Sequence, residues 1–184
     1  MLKKATIFFT LLLISMPTFA RQPGAADREV YQKIEGSFAL LDDGTSEAYG
    51  FYIAGARSKK YVYFLSLNSL SVGLDVKLRV TALDGKSHET EAEKLGADDN
   101  LGAAIYTVKL STDDWTPITR HPDIGQTGSA SIWAAGAPKS QQVVPVTVNG
   151  AAEANSSFNI SGALPAQTAG LPVFDSDGKV MGMV

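Results

Sequence analysis

Few residues in this chain carry side chains suited to acid–base or metal chemistry. The chain contains two histidines and no cysteine. His88 falls in an alternating segment and His121 stands between Arg120 and Pro122, so both are predicted to lie on the surface. A metal site made from these histidines and nearby carboxylates has no ligand spacing to support it. The sequence therefore predicts no metal and no cofactor.

Two hydroxyl residues, Ser69 and Thr168, are the candidate nucleophiles. A serine or threonine hydroxyl needs a neighbouring general base before it can attack a carbonyl group. No base stands beside either residue, because the local sequences are L-N-S-L-S and A-Q-T-A-G. Both are therefore predicted to be ordinary polar residues of loops.

The stretch from Gln167 to Val184 has the pattern of a turn, a strand, a second turn and a second strand. Its first turn is Ala169-Gly170-Leu171-Pro172, and Ser176-Asp177-Gly178 is a turn signal of the Asp-Gly type. Polar and apolar residues then alternate over 179–184, as they do in a half-buried strand. The sequence therefore predicts an antiparallel hairpin at this end of the chain.

Short β-strands are predicted along most of the preceding sequence, and no long helix is predicted. The predicted strands are 37–41, 48–54, 60–67, 76–82, 88–95, 103–110, 129–135, 142–148, 156–161, 171–174 and 179–184. The clearest hairpin joins 76–82 to 88–95 through the turn at Asp84-Gly85. Two prolines interrupt the pattern over 113–128, which predicts a connector between domains at 36–118 and 119–184. Many short strands indicate an all-β sandwich or a pair of barrels.

The N-terminus has the pattern of a secretory signal peptide over residues 1–20. Two lysines precede an apolar run over 5–16 that is short for a membrane span, and Thr18-Phe19-Ala20 fits a cleavage site. The alternative is an N-terminal membrane anchor. Residues 21–35 are predicted to be a flexible lead-in with one helical turn over 28–34. The sequence thus predicts a periplasmic or secreted protein that has no disulfides, since it has no cysteine.

Composition limits the classes of partner. The formal net charge is −3 and basic residues do not cluster, which argues against nucleic acid as a ligand. No second hydrophobic run is long enough to cross a membrane. The length is enough for one sizeable core or two small ones.

Five segments of the chain share a pattern with one known family. In chain order they are Gly50–Ile53, Tyr63–Leu70, Gly96–Val108, Trp133–Pro138 and Ile160–Pro172, the last followed by the hairpin with V-M-G-M. In order and spacing they resemble motifs of trypsin-like serine proteases, closest to the HtrA/Deg type, over residues 36–184. The resemblance implies an all-β fold of two six-stranded antiparallel β-barrels. The second barrel is expected to be incomplete at the C-terminus, either through truncation or because a neighbour supplies the missing edge.

The resemblance also assigns positions to the catalytic machinery. The nucleophile, the imidazole and the orienting carboxylate would stand at Ala169, Ser69 and Gly102, and none of these residues has the side chain that its role requires. The oxyanion-hole donors would be the backbone N–H groups of Gln167 and Ala169, which do not depend on side chains. One possibility is that this loop still forms a weak oxyanion or peptide-binding site. The alternative is that the loop has collapsed, because Leu171 replaces a family glycine. That loop comprises Gln167, Thr168, Ala169, Gly170 and Leu171.

These features predict an exported, catalytically degenerate member of the family that binds a peptide or protein in the bacterial envelope. Leu171 and Phe174 would line its binding pocket unless they belong to the core. Two alternatives remain open at this point. One is a serine endopeptidase that uses displaced residues, and the other is a structural or interaction β protein whose motif matches arose by chance.

Overall fold

The computed structural model describes residues 25–53, 59–73, 76–119, 128–133, 143–151, 158–162 and 170–184. Predictions on other residues, including the signal peptide and the centre of the connector, lie outside the described residues. The described part consists mainly of β-strands, with one α-helix, α1 (Ala25–Ile34), and short 3-10 helices at Glu35–Ser37 and Thr112–Asp114. Within it, no helix combines the length and the apolar character that a membrane crossing requires.

The first six strands close into an antiparallel barrel. They are β1 (Phe38–Asp42), β2 (Glu47–Tyr52), β3 (Val62–Leu67), β4 (Lys77–Ala82), β5 (Ser87–Asp98) and β6 (Ala103–Val108). Their order around the barrel is β1-β2-β3-β6-β5-β4, and β1 closes it by pairing with β4 as well as with β2. The predicted hairpin through Asp84-Gly85 is confirmed as β4 and β5, and Gly85 has the left-handed φ that its turn requires.

Residue alternation determines which side chains fill the barrel. In β3, Val62, Phe64 and Ser66 are buried, while the residues between them are partly exposed. The buried Ser66 hydroxyl donates a hydrogen bond of 2.6 Å to the carbonyl oxygen of Tyr49, so its burial leaves no unsatisfied donor. Phe64 meets Trp115 edge to face at 5.1 Å, which brings the start of the connector onto the barrel core.

The remaining strands form a second antiparallel sheet. They are β7 (Gly128–Trp133), β8 (Val143–Ala151), β9 (Phe158–Ser161), β10 (Pro172–Phe174) and β11 (Val180–Met183), in the order β11-β10-β7-β8-β9. Each of these strands was predicted from the sequence. The described residues give five strands here, so closure of this part into a six-stranded barrel stays a prediction.

Helix α1 is longer than the single helical turn predicted over 28–34, and it occupies most of the stretch expected to be a flexible lead-in. Its residues Val30, Tyr31 and Ile34 are buried in a central cluster that both sheets share. The other buried members of that cluster are Phe38, Phe51, Leu83, Val143, Leu171, Phe174 and Val180. A ten-residue helix is marginal alone, so burial of this face against the sheets stabilises it. The sequence predicted only one helical turn here because that contact is non-local.

The connector is attached to both sheets at its described end. The backbone N–H of Ile118 donates to the carbonyl of Tyr52 in the first barrel at 3.0 Å. The carbonyl of the next residue, Thr119, accepts from the N–H of Val180 in β11 at 2.7 Å. The passage from one sheet to the other therefore begins near the predicted domain boundary at 118/119. The boundary itself remains a prediction, because the centre of the connector lies outside the described residues.

Candidate functional site

Two loops approach each other at one end of the barrel. Each contains one of the positions that the resemblance assigns to the catalytic triad. Ser69 follows β3, and Gly102 ends the turn between β5 and β6. The backbone N–H of Asn68, the neighbour of Ser69, donates to the carbonyl of Gly102 at 2.8 Å. Ser69 and Gly102 are both exposed. The pairing of β3 with β6 causes this approach, since it aligns the end of one strand with the start of the other.

Gly102 has a backbone conformation that favours glycine. Its φ is +62°, in the left-handed region, where a Cβ atom approaches the following carbonyl oxygen. Among residues with side chains, asparagine and aspartate tolerate this region best. The position assigned to the carboxylate therefore has neither a side chain nor a backbone that most side chains would accept.

The loop predicted over 167–171 reaches the same end of the barrel at Gly170. A Cβ atom on Gly170 would lie 3.1 Å from Cγ of Leu67 and 3.3 Å from the carbonyl oxygen of Tyr49. Leu67 immediately precedes Asn68, so Gly170 packs beside the loop that carries Ser69. Of the predicted loop, Gln167, Thr168 and Ala169 lie outside the described residues. Whether Ala169 completes a cleft with the other two positions stays a prediction.

Of the two roles left open for Leu171 and Phe174, a binding pocket or the core, the structure supports the core. Both side chains have no exposed surface and belong to the central cluster with Phe38. The Phe38 and Phe174 rings lie 6.4 Å apart, a contact typical of aromatic core packing. Leu171 therefore stabilises the junction of the two sheets, and only Gly170 of the predicted loop borders the site in the described part.

A polar network that the sequence did not reveal surrounds the Asn68 side chain. Its amide group donates to Oδ1 of Asp99 at 2.8 Å, and its oxygen accepts from Nζ of Lys94 at 2.9 Å. The same ammonium lies 5.6 Å from the ring centroid of Tyr106. One hint of this network was present in the sequence, the position of Asn68 beside Ser69. The two partners of Asn68 come from β5 and the following turn, so local sequence does not reveal them. An amide that does not titrate thus occupies the centre of the site.

The Tyr106 phenol holds the chain on both sides of Ser69. Its hydroxyl donates to the carbonyl of Leu67 at 2.9 Å and lies 3.5 Å from that of Leu70. Burial raises the pKa of the Tyr106 phenol above its usual value, outweighing the opposite effect of the Leu70 bond. The hydroxyl therefore stays protonated and acts as a donor that holds this loop.

A second anchor of the same loop is the carboxylate of Asp43, in the turn between β1 and β2. It accepts hydrogen bonds from the backbone N–H of Ser71 at 2.5 Å and of Ser46 at 2.7 Å, and from the N–H and hydroxyl of Thr45 at 2.8 and 2.7 Å. Partial desolvation raises the pKa of Asp43, but these bonds, first that from Ser71, outweigh it and hold the pKa at about 2. Asp43 thus ties the loop of Ser69 to a different hairpin.

An apolar groove of about 480 Å³ runs beside Gly102 toward the second sheet. Leu65 of β3 and its strand partner Ile105 of β6 line it, together with Leu101 and Met183 of β11. Asp98 is its one charged lining residue among those described, and the others are glycine and alanine. We call this surface the groove. It joins the site loops to the junction of the two sheets.

The histidines do not enter this site in the described part of the chain. His88 is exposed near the start of β5, opposite Val80 of β4, whereas the site lies where β5 ends. His121 lies outside the described residues. Among the described residues, no three histidine or carboxylate side chains come together as a possible metal site. The described loops around Ser69 and Gly102 therefore contain no imidazole.

Comparisons with known proteins identify the fold. No family model matches the sequence, and no curated protein matches it either. Among solved structures, a serine endoprotease from Yersinia pestis superposes with a TM-score of 0.66 at 14% identity, covering 88% of this chain and 57% of that one. Deg5 superposes with a TM-score of 0.63 at 16% identity, covering 86% of this chain and 83% of Deg5. The active form of the Rv3671c protease from M. tuberculosis superposes with a TM-score of 0.65 at 18% identity, covering 98% of this chain and 83% of that one. The predicted trypsin-like, all-β protease fold is thereby confirmed.

Proposed function

We propose that this chain is an exported protein of trypsin-like fold that does not hydrolyse peptide bonds and instead binds a peptide or protein in the bacterial envelope. The observation that carries the proposal is the hydrogen bond between Asn68 and Gly102. It holds together the two loops to which the resemblance assigns the imidazole and the carboxylate. The hydroxyl of Ser69 does not act as an acid or base at neutral pH, and Gly102 has no side chain.

Loss of hydrolysis follows from what the triad requires. The nucleophile must lose a proton to an imidazole, and a carboxylate must orient that imidazole. The residue before Ser69 is Asn68, whose amide bridges Lys94 and Asp99 and cannot act as the general base. Ala169 at the nucleophile position has no hydroxyl. Proteases stripped of the whole triad retain roughly 10³–10⁴-fold acceleration over water, which an ordinary peptidase assay does not detect.

Retention of the scaffold supports a binding role. Tyr106 and Asp43 fix the loop of Ser69 from two directions, although the loop carries no catalytic side chain. The groove beside Gly102 remains open and apolar, as sites for apolar ligands usually are. Export is proposed from the signal-peptide pattern over residues 1–20.

Two assays on the same preparation test the proposal. Incubation with a fluorophosphonate probe and with fluorogenic casein should give neither labelling nor cleavage, with trypsin as the positive control. Capture of peptides from a casein digest on the immobilised protein, analysed by mass spectrometry, should retain a subset of them above a blank resin. Stoichiometric labelling of any serine or threonine would establish a displaced nucleophile, and retention of nothing would favour a structural role.

A further inference from the structure

We propose that the groove selects peptide segments in which an apolar side chain stands next to a lysine or arginine. This inference rests on the proposed function, since it names the class of peptide that the site would take. The argument has an apolar part and an electrostatic part, and separate residues carry them.

The apolar part comes from side chains of three elements. Leu65 and Ile105 form a cross-strand pair, and Met183 faces them from β11 of the other sheet. Leu101 remains 52% exposed at the mouth, beside Gly102. Apart from Asp98, the rest of the lining is glycine and alanine, so a side chain can approach the backbone closely. The surface therefore favours an aliphatic or aromatic side chain that would cover Leu101 and the Leu65–Ile105 pair.

The electrostatic part comes from Asp98. One oxygen, Oδ1, accepts from the backbone N–H groups of Asn100 at 3.0 Å and Leu101 at 3.2 Å, which fixes the carboxylate at the rim of the groove. The other oxygen, Oδ2, receives no hydrogen bond and no ion pair from any residue that the structure describes. An oriented anion beside an apolar surface complements a cationic side chain that follows or precedes an apolar one.

The probes are three fluorescein-labelled octapeptides in a glycine–serine background, containing Leu-Arg, Leu-Glu or Ser-Arg at the centre. Their binding to the purified protein is measured by fluorescence anisotropy at low and high salt. The Leu-Arg peptide should bind about tenfold more tightly than the Ser-Arg peptide, because it buries a leucine side chain. It should also bind more tightly than the Leu-Glu peptide, and this second preference should weaken at high salt.

Substitutions separate the two parts. Asp98→Asn keeps an oxygen for the N–H groups of Asn100 and Leu101 but removes the charge, so it should weaken Leu-Arg binding by about two- to fivefold and abolish the preference over Leu-Glu. Asp84→Asn is the matched control. The Asp84 carboxylate also accepts a hydrogen bond within a turn, from the N–H of Lys86, and its substitution removes the same charge at a place away from the groove. Leu101→Ser should reduce the affinity for both leucine peptides and leave the weaker Ser-Arg binding unchanged.

The outcomes distinguish the two proposals. If the protein captures casein peptides but binds the three probes equally, or if Asp98→Asn and Asp84→Asn bind alike, the selectivity proposed here is wrong and the binding function stands. If no peptide of any kind binds, the proposed function fails as well. Should Asp98→Asn fail to fold, the salt dependence of the wild-type protein and the Leu101→Ser variant decide the question.

Discussion

Replacement of Gly170 by alanine tests whether the backbone before β10 packs closely against the end of the barrel that carries Ser69. Gly170 is buried, has a φ of +82°, and donates its N–H to the carbonyl of Val184 at 2.8 Å. An alanine Cβ would meet Cγ of Leu67 at 3.1 Å and the Tyr49 carbonyl oxygen at 3.3 Å. The variant therefore adds backbone strain and crowding at one point.

The two contributions have different sizes. A left-handed φ costs an L-residue about 1–2 kcal/mol. Inserting a methyl group into a packed contact costs about 1–3 kcal/mol, because Leu67 must change rotamer or the backbone of β2 must move. We therefore expect Gly170→Ala to lower the free energy of unfolding by about 2–5 kcal/mol, a large fraction of the stability of a typical domain.

Gly44→Ala is the matched control. Gly44 has nearly the same φ, +87°, and an added Cβ would meet no atom within 4 Å. Its substitution should cost only the backbone contribution of about 1–2 kcal/mol. Urea unfolding followed by Trp fluorescence and circular dichroism gives both free energies, and the difference between the variants isolates the contact with Leu67 and Tyr49. Equal destabilisation by the two substitutions would refute the close packing of this segment.

Three further predictions concern the anchor, the core and export. Asp43→Asn should destabilise the protein by about 1–2 kcal/mol at neutral pH; since the folded-state pKa of Asp43 is lowered to about 2, this difference should persist above pH 4 and disappear as the pH falls toward 2 in urea titrations. Leu171→Asp should destabilise by about 4 kcal/mol or more, because it places a charge in a fully buried site; a cooperative unfolding transition near that of the wild type would contradict this. Protein recovered from a Gram-negative periplasm should begin at Arg21 by mass spectrometry, and an intact Met1 in the membrane fraction would argue for a membrane anchor.

The sequence by itself determined the local elements of this protein. The hairpin of β4 and β5 was predictable because alternation and an Asp-Gly turn are properties of neighbouring residues. The same holds for β3 and for β10 and β11, whose bounds agree with the predicted strands to within two residues. The order of five weak motifs was enough to indicate the trypsin-like fold. The assignment of the triad positions to Ser69, Gly102 and Ala169 stays a prediction.

Only the tertiary structure decided what the site is made of. The bond between Asn68 and Gly102, the network through Lys94 and the anchor at Asp43 each join residues that are far apart in sequence. They form only when the barrel closes and brings β3 beside β6. Helix α1 and the burial of Leu171 depend likewise on packing at the junction of the two sheets, which local patterns do not encode.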